Sequence, residues 1–329
     1  MVSELLGELN CSHTGLKYRG VSTSRPTAVL GAFYDASYEG DGLLIEEIIK
    51  DGPLDLPDNR IKAGMTIMSI DRQPIKKGED YYPLLAGKAD KWVLLTLTEG
   101  KGNKTFDVYV KPCSQGKQTG LLYKRWTRRA EETVRQRSNG KVGYVHIEGM
   151  NSPSFRKVFS DLLGKYRNCD AVVVDERHNG GGWLHEDLAV LFSGRKFQTF
   201  TSRGQYLGAD PFNRWYKPSC VVMCENCYSN AHGFPYMYKE LGLGKLVGTS
   251  MAGTMTAVWW ENQVDPTLIL GIPEVNCVGL DGKVCENQQL DPDIPAPLLP
   301  EDQLKGNDTQ LNAAVDLMLK EINLSTHKK

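Results

Sequence analysis

Ser229 stands in "NCYSNAHGFPY", between the apolar run "CVVMC" and a stretch that reads as a helix beginning near Phe234-Pro235. A serine hydroxyl is a weak nucleophile at neutral pH and needs an adjacent base. It is equally a common helix cap. The position is not a G-x-S-x-G elbow, because Cys227 and Ala231 occupy the glycine positions. On local sequence alone the cap is the stronger reading. A second stretch, "VVVDERHNGGGW", ends a buried strand in Gly180, Gly181 and Gly182 before a helix. Glycines there permit positive φ and close approach of a ligand, and N–H groups at a helix start attract an anion. Phosphate binding, an oxyanion hole and a plain tight turn all fit. The loop lacks the Gly-Lys-Ser/Thr ending of a P-loop, and His185 stands where GxGxxG needs its last glycine. In a parallel sheet both junctions share the carboxyl edge, where ligands bind.

A nucleophilic serine needs an imidazole, and six histidines are available. His146 alternates within a strand and reads as structural. His178 and His232 flank the two loops and stay open as bases. His185 opens "HEDLA", but Ala189 replaces the second histidine of HExxH, which excludes that zinc motif. His327 lies in the tail. His13, in "ELNCSHTG", is a loop histidine with nothing local to single it out. Cys224-Glu-Asn-Cys227 has CxxC spacing, but no second pair completes a four-ligand site, so no metal is expected. The eight cysteines are scattered, which suggests reduced thiols rather than a disulfide framework.

The 329 residues suit two domains. Hydrophobic residues at 40% and charged residues at 24% allow a sizeable core. Net charge is −1, and the one basic run, "KRWTRR" at 124–129, reads as a solvated helix face, so no nucleic-acid partner is expected. No window approaches a membrane span. "MVSELLGELN" lacks the basic n-region of a signal peptide. A cytoplasmic protein is expected, unless Met1 is not the natural start.

These residues need elements to position them. "SELLGEL" has helical spacing. From Gly42 the texture turns to β: "GLLIEEIIKDGPLD" is a strand and turn, and "IKAGMTIMSIDRQPI" a short helix, turn and strand. "WVLLTLTEG" and "KTFDVYVKP" are two alternating strands. Residues 121–138 are charged and helical. "KVGYVHIEGM", "DAVVVDER", "SCVVMCEN", "KLVGTS" and "TAVWWENQ" read as strands. Between them lie three helical stretches: "SPSFRKVFSDLLGKY" with Ser152 as N-cap and Pro153 at its first position, "GGWLHEDLAVLFSG", and "AHGFPYMYKELGLG". "NDTQLNAAVDLMLKEI" closes the chain as a helix. Strands alternating with helices predict a largely parallel, two-sided sheet.

"GELNCSHTG", "VVVDERHNGGG", "CYSNAHGFPYMYKELG", "KLVGTSMAGT" and "CENQQLDPDI" occur in that order. Together they resemble the peptidase core of the tricorn proteases, relatives of the C-terminal-processing serine peptidases, over nearly the whole chain. The resemblance implies an α/β fold, a mostly parallel sheet with flanking helices (a ClpP/crotonase-like core), plus an inserted β-rich PDZ-like domain. The segments expected are 1–37 with the Ser-His pair, 38–112 PDZ-like, 113–139 a connecting helix and 140–329 the peptidase domain.

Position by position, the resemblance implies Ser229 as nucleophile, His13 as general base, Ser12 as relay and Glu286 as acid. Gly182 and the N–H of Asn230 match the oxyanion hole, with Gly181 a near alternative. His13 Nε2 is then expected within hydrogen-bond reach of Ser229 Oγ. The implied activity is a serine endopeptidase cutting peptides or unfolded segments through an acyl-enzyme, without a cofactor, and it leaves room for a homo-oligomer. The C-terminal-processing branch uses a Ser-Lys dyad with its lysine in a Gly-Lys-Gly turn. Here that turn reads Gly253-Thr254-Met255, and Lys245, earlier, reads as solvated. Asn230 replaces the aspartate often found after the nucleophile, where only the N–H is required. With Met1 as the natural start, the helical segment and β-propellers that precede this core in full tricorn proteins are expected to be missing, leaving His13 on a poorly anchored terminus. Termini fray unless tied down, so a catalytically inactive peptide-binding relative is the alternative. A protein binding phosphate or nucleotide through "HNGGG" is a third. The PDZ-like module implies peptide captured as an added strand, with "GLLI" beside the groove. Trp259 and Trp260 read as buried packing.

Overall fold

The computed structural model describes residues 2–20, 25–99 and 104–326; Met1 and His327 lie outside the described residues. The chain forms two compact units, one of Met1–Gly20 with Ala130–Lys329 and one of Val21–Arg129. Helix α1 (Val2–Gly7) and strand β1 (Gly15–Tyr18) open the first.

The second unit is a mostly antiparallel β module. It contains β2 (Ala32–Tyr34), β3 (Leu43–Ile48), β4 (Met65–Ile70), β5 (Gln73–Pro74), β6 (Val93–Glu99) and β7 (Thr105–Val110), in the order β2-β3-β4-β6-β7 with β5 on β4. Period-two burial builds its core: Ile45, Ile67, Leu95, Leu97 and Val108 point inward, while Thr96 and Asp107 face each other outside. Two readings need correction. The short helix expected around Ile61–Gly64 is a turn, because Gly64 takes φ +85 and gives its N–H to Ile45 O at 2.8 Å. "GLLI" borders no open edge either. β3 is paired with β4 through Leu43 and Leu44 and with β2 through Ile45, Glu47 and Ile48, so the edge strand on that side is β2.

Helix α2 (Gln115–Arg137) starts six residues before the expected 121, because Ser114 caps it by accepting the Lys117 N–H. Its basic run is not merely solvated: Arg125 and Arg129 both pair with Glu47.

The rest of the first unit runs β8 (Val142–His146), α3 (Ser152–Ser160), β9 (Ala171–Asp175), α4 (His185–Phe192), β10 (Gln198–Ser202), β11 (Gln205–Asp210), β12 (Ser219–Met223), α5 (Asn230–Glu240), β13 (Lys245–Gly248), β14 (Thr256–Asn262), β15 (Leu268–Asn276), β16 (Ile294–Pro295), α6 (Pro300–Leu304) and α7 (Thr309–Thr326). Five strands form a parallel sheet, β16-β13-β12-β9-β8. Alternate residues feed two layers. Val172, Val174, Val221 and Met223 pack with Leu188, Phe234 and Tyr238. Val173, Cys220, Val222 and Val247 pack with Val134, Leu311 and Val315. Burial on both faces is why these strands read as unbroken apolar runs.

Helix α3 is capped by Asn151, whose Oδ1 accepts the Ser154 N–H, rather than by Ser152; Pro153 sits one place further in. Helix α5 begins at Asn230, five residues before Pro235. A second, antiparallel sheet, β1-β15-β14, ties down the amino end: Gly15 to Tyr18 pair with Gly271 to Leu268. Among the described residues no helix is long and apolar enough to cross a membrane.

Candidate active site

β12 delivers the chain to a tight junction. The Cys227 N–H closes a turn on Cys224 O at 3.0 Å, and the Tyr228 N–H reaches Asn179 O at 3.0 Å. Ser229 follows at φ +59, ψ −125, a conformation costing a non-glycine residue about 1–3 kcal/mol. It persists because the Ser229 N–H is held by Thr254 Oγ1 at 2.9 Å and α5 starts at once. Ser229 occupies the N-cap position, yet its hydroxyl makes no capping bond. The cap reading, the stronger one locally, therefore fails for the side chain. The turn is an elbow built without flanking glycines.

His13 arrives from the segment anchored by β1. Ser12 Oγ donates to Glu286 Oε2 at 3.0 Å and lies 2.9 Å from His13 Nδ1. The Ser12 N–H reaches Glu286 Oε1 at 2.5 Å. Having given its only proton to the carboxylate, Ser12 Oγ accepts from Nδ1–H, which leaves the Nε2 lone pair bare. Thr256 Oγ1 joins the cluster, 3.1 Å from Nδ1. The His13 N–H donates to Tyr228 Oη at 2.6 Å, and the two rings lie 4.8 Å apart. The Asn287 side chain donates to Asn10 O at 2.9 Å, fastening the loop of Glu286 to the amino segment. Burial lowers the His13 pKa, and the Glu286 charge opposes it.

His13 and Ser229 line one cleft of about 270 Å³, together with Gly182, Trp183, Asn230 and Met255. Among the described residues no hydrogen bond joins Ser229 Oγ to His13 Nε2. The expected hydrogen bond is therefore not made.

The glycine loop packs against the elbow. A Cβ on Gly181 would stand 2.6 Å from Ser229 Cβ, and one on Gly182 2.1 Å from Met150 O. The Gly181 N–H is taken by Asn179 Oδ1 at 2.9 Å. The Gly182 N–H has no partner among the described residues, and the Asn230 amide heads α5, where a helix leaves its N–H groups without intrahelical acceptors. The Asn230 side chain is not idle. Its Oδ1 accepts the N–H groups of Leu184 at 2.8 Å and His185 at 3.1 Å, capping α4. The amides of Gly181, Trp183, Leu184 and His185 are engaged within the protein, whereas among the described residues that of Gly182 is not.

Residues 141–296 match the model of peptidase family S41, and residues 40–115 match the tricorn protease PDZ domain. The chain thus carries a peptidase family S41 region and a tricorn protease PDZ region. It is 28% identical over 98% of its length to a putative tricorn-like protease C-terminal subunit of Sulfurisphaera tokodaii, covering 38% of that protein. It is 26% identical over 79% of its length to the tricorn protease of Thermoplasma acidophilum, covering 24% of it. Against tricorn protease homolog 1 of Streptomyces coelicolor the figures are 28%, 96% and 30%. It therefore spans well under half of these relatives. A crystal structure of the tricorn protease superposes with a TM-score of 0.83 at 23% identity, over 96% of this chain and 31% of that one, which shows the fold.

Other residues singled out in this tricorn-type core fall elsewhere. Buried His146 sets Nε2 3.1 Å from Arg177 O. His178 stands beside Cys224 and Asn226. His232 is 1% exposed, and among the described residues neither ring nitrogen has a hydrogen-bond partner. Lys245 is exposed and pairs with Asp293 at 3.2 Å. Trp259 and Trp260 are not buried packing: they are 59% and 38% exposed, with Lys17 Nζ 3.3 Å from the Trp260 ring centre. Strand β14 covers the core with one end only. Thr256, Tyr228, Thr254 and Asn179 carried no local signal, although Thr254 occupies the turn inspected for a lysine. Beneath the glycine loop, fully buried Arg177 is bonded to Asp175, Asp308 and Gln310. Breaking such a set costs about 3–5 kcal/mol, so the loop rests on a rigid base. Among the described residues no group of three or more His, Cys, Asp or Glu side chains is placed to hold a metal.

Proposed function

We propose that this chain is a serine endopeptidase that hydrolyses peptides or unfolded segments through an acyl-enzyme. Ser229 attacks the carbonyl. His13 Nε2 takes its proton and later returns it to the leaving amine. Ser12 and Glu286 hold the imidazole in the tautomer with its proton on Nδ1 and stabilise the imidazolium that forms. The amides of Gly182 and Asn230 receive the negative charge of the tetrahedral intermediate, each worth roughly 10²–10³ in rate; Gly181 serves as support, its own N–H already bonded. The observation carrying this reading is the chain Glu286–Ser12–His13 opening onto the same cleft as an uncapped serine hydroxyl at φ +59. The parallel sheet with helices on both faces supports a ClpP/crotonase-like core, and the β module supports a peptide-binding role for the PDZ-like insert.

Fluorophosphonate labelling tests the reading. Ser229 should be modified, and Ser229→Ala should lose the label and about 10⁶ in kcat. A second reading, a peptide-binding protein that does not hydrolyse, is favoured by the open Ser229–His13 contact. It wins if peptides bind while Ser229 stays unlabelled.

A further inference from the structure

Cys224 and Cys227 lie in the turn between β12 and Ser229, and the peptidase chemistry uses neither. Their sulfurs are 4.0 Å apart. The hydrogen bond from Cys227 N–H to Cys224 O makes the segment a β-turn, which holds its end Cα atoms within about 7 Å. Disulfides span Cα separations of about 4.4–6.8 Å, so the backbone is already close to bridging geometry. A third group adjoins the pair. Glu176 is 0% exposed, and among the described residues neither of its carboxyl oxygens has a hydrogen-bond partner. Its backbone carbonyl lies 3.4 Å from Cys227 Sγ.

We propose that Cys224 and Cys227 form a peroxide-reactive dithiol site, whose oxidation to a disulfide displaces the turn carrying Tyr228 and Ser229. The Cys224 thiolate attacks one peroxide oxygen and the O–O bond breaks. The departing hydroxide takes the Glu176 carboxyl proton and leaves as water, with Cys224 as the sulfenic acid. Cys227 sulfur then attacks Cys224 sulfur and the S–O bond breaks. The Cys227 proton goes to the departing hydroxide, giving a second water. Glu176 regains a proton from solvent. Overall, two thiols are oxidised and one peroxide is reduced to two waters.

The environment fits each role. The hydrogen bond from Cys227 lowers the Cys224 thiol to about 4 against the effect of burial, with further help from the His178 ring at 3.9 Å and the His178 N–H at 3.4 Å. The same bond raises Cys227, which keeps its proton. Burial raises Glu176 well above the carboxylate range, so it holds a proton to give. The sulfurs are buried, whereas Glu225, Asn226 and His178 around them are exposed. That favours a two-atom oxidant over a bulky disulfide. Bond formation draws the sulfurs together by about 2 Å. Tyr228, next in the chain, holds the His13 N–H through its hydroxyl and Asn179 O through its own N–H. The displacement therefore reaches both the nucleophile and the base. The loss of hydrolysis rests on the peptidase reading; the thiol chemistry does not.

The reduced full chain is treated with hydrogen peroxide near stoichiometry, alkylated, digested without reductant and mapped by mass. The expected result is a Cys224–Cys227 link reversed by dithiothreitol, altered hydrogen exchange across residues 226–236, and at least tenfold less fluorophosphonate labelling. Cys227→Ser should keep its labelling and exchange after peroxide; should it fail to fold, Cys224→Ala serves. Sulfinic acid at Cys224 without a link, pairing among the other six cysteines, or a link with unchanged exchange overturns the proposal. An unlabelled reduced protein defeats the peptidase reading alone, since mass and exchange still decide the dithiol.

Discussion

Thr256 Oγ1 lies 2.7 Å from Ser12 Oγ, from strand β14 to the amino-terminal segment across 244 positions of sequence. It also donates to Ser12 O at 3.2 Å. On the proposed mechanism Thr256 positions Ser12 and the Nδ1 side of His13, away from Nε2. Thr256→Val keeps the shape and removes the hydroxyl. A neutral hydrogen bond is worth about 1 kcal/mol, so kcat should fall roughly fivefold with KM unchanged. Steady-state kinetics on a peptide substrate checks this; a rise in KM alone would contradict a positioning role.

The acid limb of the pH profile should report His13. Its pKa is lowered by burial and raised back by Glu286. On the proposed mechanism it acts as general base only when neutral, so kcat/KM should rise with pH through a value below that of free imidazole. Glu286→Gln removes the raising charge and should move the limb further down in pH. It should also lower kcat by roughly 10²–10⁴, because the imidazolium loses its support. A limb that moves upward in Glu286→Gln rules out this arrangement.

Asn230→Ala should separate fold from chemistry. The backbone N–H stays, but the N–H groups of Leu184 and His185 lose their acceptor. Leaving such groups unpaired costs about 1–3 kcal/mol. Asn230→Asp restores the acceptor at a helix start, where negative charge is favoured, and should recover the stability. Urea midpoints of the three proteins decide it; an Asp variant no better than Ala would count against the cap.

His232 should govern acid stability. Burial takes its pKa from 6.5 to about 4 in the folded chain. Between those values the unfolded state binds the proton and the folded state does not, so stability is full above about pH 6.5 and falls as pH drops toward 4. The loss amounts to about 3 kcal/mol. His232→Leu removes two unpartnered nitrogens and should flatten that slope without weakening the protein at pH 7.5. Equal acid loss in both proteins would place the sensitivity elsewhere.

Much of the architecture is written locally. Val172, Val173 and Val174 form an unbroken apolar run because they are buried on both faces, and that pattern needs no tertiary knowledge. The glycines after Asn179 announce a sharp turn in the same way. Caps and starts are less legible. Asn151 and Ser152 are both good caps, and the choice depends on which side chain can reach Ser154. The position of "GLLI" relative to a sheet edge is not legible locally, because pairing decides which strand is outermost.

For the candidate site, sequence by itself determined the residue types and the two strand-to-helix junctions, since composition and periodicity are properties of neighbours along the chain. Tertiary structure decided that His13, backed by Ser12 and Glu286, and His185, held by the Asn230 side chain, both line Ser229's cleft. It also decided that Thr256 and Tyr228 hold His13 and that the serine hydroxyl caps nothing. The reason is distance along the chain: β1 pairs with β15 some 250 residues away, and a contact of that span leaves no periodic trace in either segment.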